Sequence, residues 1–120
     1  MMLRLVDAPS PAKNDLRHVA VWALEADMVT YLERQLRRRW PQLRVQGISD
    51  AAQLEATTAD LCICGLQPPP HMRALTLWLG DVDRGAGLIE LSEGLWKCRM
   101  PITGRHLVNF ITAIWARAGI

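Results

Sequence analysis

Apolar positions along the chain fall into two patterns: short continuous runs, and stripes that recur every three or four residues. His18–Leu24 (HVAVWAL) is a continuous run with the character of a parallel strand buried on both faces. A helix is predicted over about 25–40, where Met28, Leu32, Leu36 and Trp40 recur at every fourth position beside Val29. Glu25 and Asp27 fall in its first turn and arginines in its last, and Pro41 stops it. Leu43–Ile48 alternates and reads as a second strand, closer to an edge. Ser49 or Asp50 can cap a short helix over Ala51–Thr57, with Asp50 and Gln53 in capping-box positions. Asp60–Leu66, Leu75–Leu79 and Leu95–Arg99 supply three further strands. Thr103 can cap a last helix over about 104–118, with the stripe Leu107, Phe110, Ile111, Ile114, Trp115 and Ala118.

Alternating strands and helices predict an α/β fold, a doubly wound, mostly parallel five-stranded sheet with helices on both faces. Two connections depart from regular winding. Only eight residues, Gln67–Ala74 (QPPPHMRA), join the third and fourth strands. A parallel crossover takes a dozen or more, and Pro68–Pro70 cannot continue a helix, so the third helix is shortened or absent. The fourth helix would lie in Asp81–Gly94, where Gly85, Gly87 and Gly94 make a poor one. The alternative there is a hairpin over Leu88–Cys98 with Gly94 in its turn. Residues 1–17 show no periodicity and contain Pro9 and Pro11. They read as a leader, either a flexible tail or an added edge segment through Leu3–Val6, ahead of a domain over 18–120.

At 120 residues, half of them apolar, the chain is one domain with enough material for a core. No apolar run approaches the roughly 18 residues of a membrane span. The first residues lack the apolar stretch of a signal peptide, so the expected location is the cytoplasm. Cys62, Cys64 and Cys98 are odd in number and sit in apolar surroundings, as reduced buried thiols do. Cys62 and Cys64 are expected on opposite faces of their strand, which would hinder a shared metal or a disulfide. A net charge of +2 is too small to argue for nucleic acid. The one concentrated patch, Arg34, Arg37, Arg38 and Arg39, complements the carbonyl end of its helix; the alternative is a surface for an acidic partner or a phosphate.

His18, His71 and His106 are scattered without metal-ligand spacing. Gly85-x-Gly87 lacks the strand–turn–helix setting of a phosphate loop, and no Ser, Cys or Lys sits in a nucleophile motif. A non-enzyme without cofactor or metal is therefore expected. Trp40 and Trp96 lie at an element end and beside a turn, where a tryptophan can anchor an interface.

One stretch carries more specific meaning. Ala59–Pro69 (ADLCICGLQPP) follows the spacing of the phosphoacceptor strand of response-regulator receivers, and VAVWALEADMVTYLERQL follows that of their first strand and helix. Over residues 18–120 the chain resembles the CheY-like receiver domain of bacterial two-component systems, which implies a CheY/flavodoxin-like fold. Under that resemblance the metal-binding acidic pair falls on Ala23 and Leu24, the phosphorylated aspartate on Gly65, the switch hydroxyl on Gly80 and the lysine on Met100. Phosphoryl transfer needs oxygen ligands for Mg²⁺ and a carboxylate to accept the group, and none of these positions supplies one. Glu25, Asp27, Asp81 and Asp83 could form an acidic cation site at the same sheet edge only by a slip in register.

The resemblance therefore implies a pseudo-receiver independent of phosphorylation. Such a domain binds a partner protein or itself, is free-standing or the input domain of a longer regulator, and occurs in transcriptional regulators and in cyclic-dinucleotide signalling. The expected interaction surface is the last helix with the altered 81–99 region, through Trp96, Arg105, Leu107, Ile111 and Trp115, including a homodimer. The runner-up is a small-ligand domain binding a nucleotide or metabolite at the carboxyl edge, in room opened around Gly65, Gly80 and Glu25. A third reading, an enzyme using Cys62 or Cys64, requires an exposed, low-pKa thiol.

Overall fold

The computed structural model describes residues 16–80, 87–99 and 103–119, without the side chains of 117–119. Nine elements follow in order: β1 (His18–Trp22), α1 (Ala26–Arg39), β2 (Arg44–Ile48), α2 (Ala51–Ala56), β3 (Leu61–Cys64), β4 (Leu75–Gly80), β5 (Leu88–Ser92), β6 (Leu95–Arg99) and α3 (Gly104–Gly119). The six strands form one sheet in the order β2-β1-β3-β4-β6-β5. All neighbours are parallel except β5 and β6, which pair antiparallel. The hairpin alternative for Leu88–Cys98 is thus the one adopted. It adds a sixth strand to the five expected, and Gly94, at φ +82°, makes its turn. The leader lies outside the described residues up to Leu16, and so do Asp81, Asp83 and Gly85.

Side chains alternate between two faces, and each face has its own core. Val19, Val21, Leu61, Ile63, Leu77, Leu79, Trp96 and Cys98 face α1 and α3, which contribute Leu32, Leu36, Leu107, Ile111 and Ile114. Ala20, Cys62 and Cys64 face the other way, toward Leu54 of α2. Helices therefore cover both sides, as the alternating pattern requires. Burial of these apolar groups is the main stabilising term, at about 25 cal/mol per Å² removed from water.

Local chemistry sets the helix ends. The Asp50 carboxylate accepts the Gln53 amide N–H at 2.9 Å and starts α2. Thr103 Oγ1 accepts the His106 amide at 3.3 Å and starts α3. Trp40 closes α1 by donating its amide to the Leu36 carbonyl at 2.9 Å before Pro41 turns the chain. One oxygen of Asp60 accepts the amides of Arg17 and His18 at 3.0 Å each, tying the start of β1 to the start of β3.

The connection from Cys64 to Leu75 contains no helix, so the third helix of a regularly wound sheet is missing. On its face of the sheet α2 is only six residues long and packs through Leu54 with Ala20, Ile48, Cys62 and Cys64 of β1, β2 and β3. Beyond it the sheet face around Thr76 and Trp78 borders an open trough of about 880 Å³, lined among others by Pro68, Pro70, Met72, Leu91 and Leu95.

Candidate functional site

The carboxyl edge of the sheet brings Ala23, Leu24 and Gly65 together. Gly65 ends β3 and donates its amide to the Trp22 carbonyl at 2.9 Å. The chain then turns sharply at Ala23, whose φ of +62° lies in the left-handed region that side chains other than glycine rarely adopt. That turn aims the Ala23 carbonyl oxygen at Gly65, where it occupies the place of a Cβ. A methyl group there would also come within 2.7 Å of Leu24 Cδ2. The room expected around Gly65 for a nucleotide or metabolite is therefore filled by backbone.

Gly80 lies one strand over and is flanked by Trp78 and Lys97: an added Cβ would sit 3.2 Å from Trp78 Nε1 and 3.3 Å from Lys97 Cε. Lys97 Nζ stands 3.9 Å from the Trp78 ring centroid, a cation–π contact that covers the tryptophan's face. Met100 lies outside the described residues. Glu25 and Asp27 are exposed, Glu25 as the residue before α1 and Asp27 in its first turn. Among the described residues no group of three or more His, Cys, Asp or Glu is placed to hold a metal ion.

Several expected surface residues turn inward. Trp96 is 9 % exposed and packs in the larger core, because its place in β6 points it toward α1 and α3. Trp40 is 5 % exposed, with the Arg39 guanidinium 5.1 Å from its ring centroid. Leu107 and Ile111 are fully buried: the apolar stripe of α3 is consumed by the sheet and by α1. None of these four is available to a partner. Of the expected interface, Arg105 is exposed and Trp115 half-buried against the core.

Cys62 and Cys64 share one face of β3, not opposite faces, since residues two apart on a strand point the same way. Both are fully buried and free, as is Cys98. Burial pushes the Cys62 thiol up to about 11 and the Cys98 thiol up to about 12. Cys64 rises to about 12, through burial first and then the neighbouring Cys62. Such thiols are poor nucleophiles at neutral pH.

A second assembly of charge was only partly visible along the chain. The Arg37 side chain donates from Nε to the Leu43 carbonyl at 3.0 Å and pairs with Glu33 at 3.0 Å. The next residue, Arg44, donates its amide to the Arg17 carbonyl at 2.8 Å. Arg17 and Arg39 in turn line one cleft of about 440 Å³ with Leu16, Trp40, Pro41 and Gln42. Arg17, from the approach to β1, and Arg39, from α1, thus share one cleft, whereas Arg44 lies on the sheet face of Ala20 and Ile48, toward α2. No periodic signal could have joined Arg17 to Arg39, because the two come from different segments.

Comparison with protein-family models, with curated proteins and with solved structures finds no match to this chain. No helix among the described residues is long and apolar enough to cross a membrane.

Proposed function

We propose that the chain is a phosphorylation-independent pseudo-receiver, a non-catalytic regulatory module of bacterial signalling that works by binding a partner protein in the cytoplasm. One observation carries this reading: at the position of a receiver's phosphoacceptor, Gly65 offers no carboxylate and the Ala23 carbonyl fills the space of its side chain. The order β2-β1-β3-β4, continued by β6, is also that of flavodoxin-like sheets, the group to which receivers belong. The short third connection and the antiparallel β5 alter the surface that receivers commonly use for output. A changed partner geometry goes with that change.

The test pairs a phosphorylation assay with a binding assay. Acetyl phosphate with Mg²⁺ should leave the mass of the intact protein unchanged. Affinity capture from source-cell lysate should recover one stoichiometric protein partner, retained equally with Mg²⁺ or with a chelator. Incorporation of a phosphoryl group, or a partner held only in the presence of Mg²⁺, would overturn the reading.

A further inference from the structure

We propose that Cys62 and Cys64 bind a soft monovalent metal ion, copper(I), held between their two sulfurs on one face of β3. The proposal goes beyond the partner-binding reading and does not rest on it. Side chains on opposite faces of a strand cannot share an ion, but these two lie on one face, buried in a cluster with Ala20, Ile48, Leu54 and Ala59. At about 3.3 Å of rise per residue, their Cβ atoms stand about 6.6 Å apart. A disulfide needs Cβ atoms about 3.5–4.5 Å apart, so the pair does not close on itself. An ion between them fits. Two metal–thiolate bonds of about 2.3 Å in line span about 4.6 Å, and each sulfur then leans toward the other by about 1 Å.

The donor set selects the ion. Structural zinc and iron–sulfur centres take four ligands, and among the described residues no third His, Cys, Asp or Glu joins this pair. Sulfur alone, in so small a number, matches copper(I), a soft ion satisfied by two ligands in line. Burial holds both thiols protonated, so only an ion with a strong preference for sulfur displaces the protons. On binding, two S–H bonds give way to two metal–sulfur bonds and both protons pass to solvent. The neighbours leave room and a way in. The cross-strand partner of Cys62 on β1 is Ala20, whose methyl group crowds the sulfur little. On the other side Cys62 pairs with Thr76 and Cys64 with Trp78, and both of these line the trough of about 880 Å³. Met72 packs against the same cluster and lines the same trough, so a thioether borders both. Lys97 continues the row Trp22, Cys64, Trp78 across the sheet and sets a positive charge on the face where the dithiolate is negative.

Copper(I) added without oxygen, and silver(I) as its redox-stable counterpart, test this on the full chain. Native mass spectrometry should show one ion per chain, and competition with a chromogenic copper(I) chelator gives the affinity. Cys62→Ala and Cys64→Ala should each weaken binding at least about a hundredfold, the share of one ligand in a metal–thiolate site. Cys98→Ala, on the opposite face of the sheet, should bind as the wild type does. One equivalent of silver(I) should raise the thermal midpoint of the wild type, because the ion then binds the folded chain in preference to the unfolded one. That last measurement decides the matter without a variant, should either substitution prevent folding. No ion retained at one equivalent, a lowered midpoint, indifference to both substitutions, or tighter binding of zinc(II) than of copper(I) would each overturn the proposal.

Discussion

The carbonyl oxygen of Ala23 lies where a side chain on Gly65 would begin. The two residues are coupled: the left-handed turn at Ala23 is possible over a glycine and over nothing larger. Placing an acid at the end of this strand therefore does not create a phosphorylation site. Gly65→Asp should lower stability by about 1–3 kcal/mol, as overpacking does, and should remain unphosphorylated. Urea denaturation and intact mass after acetyl phosphate treatment check both parts.

Ala23 bears the conformational cost of that turn, about 1 kcal/mol for a residue with a Cβ in the left-handed region. Ala23→Gly removes it, less the greater chain entropy of glycine in the unfolded state. The net expectation is a gain of about 0.5 kcal/mol, read as a higher urea midpoint with an unchanged slope. A loss of stability would show that the methyl group of Ala23 makes a contact worth more than the strain.

The three buried thiols make stability fall at alkaline pH. An unfolded thiol titrates near 9, whereas burial holds Cys62 near 11 and Cys64 and Cys98 near 12. Below pH 9 both states keep their protons and the thiols add no pH dependence. Above it the unfolded chain releases protons that the folded chain retains. Each thiol then costs about 1.4 kcal/mol per pH unit until its folded value is reached. Native alkylation at neutral pH should be slow, rising to full modification only in denaturant. Rapid labelling of the folded protein would revive a thiol enzyme.

Asp60 joins two strands through a single carboxylate oxygen. Asp60→Ala leaves the Arg17 and His18 amides without that acceptor and should cost about 2 kcal/mol. Hydrogen exchange should then accelerate at those two amides before it does in α3.

Leu107 and Ile111 belong to the core, so substitution there should act on folding and not on association. Ile111→Ala should cost about 2–5 kcal/mol. Sedimentation of the folded fraction should match the wild type.

Much of the architecture was legible because periodicity reports burial directly. The strand of four fully buried residues, LCIC, and the stripe of α1 appear in the sequence as a continuous run and a four-residue repeat. The prolines that discouraged a third helix marked a real break, and Gly94 sits in a true turn. Direction was harder. An apolar stripe on α3 reads alike whether it meets a sheet or a second molecule, and only packing showed that Leu107 and Ile111 face inward. Trp96 was misplaced for a related reason: nearness to a turn says little about which side of a strand a residue occupies. At the candidate site, the lack of a carboxylate at Ala23, Leu24 and Gly65 is plain from residue types alone. The Ala23 turn was not, since alanine carries no signal for a positive φ. The grouping of Arg17 with Arg39 in one cleft depends on packing between separate segments, which local sequence does not encode.

The antiparallel pairing of β5 with β6 also divides the sheet by the time each edge needs to form. Ser92 and Leu95 meet across a tight turn, whereas Asp60 reaches His18 over 42 residues of chain. Hairpins close in about 1–10 μs, while pairings between distant segments wait on the search for a long loop. One border of the molecule can thus be in place early and act as a template against which β4 aligns, helped by the Thr76 amide bonding to the Gly94 carbonyl at 2.8 Å. The join of β1 to β3, which Asp60 spans, closes over the longest loop in the sheet.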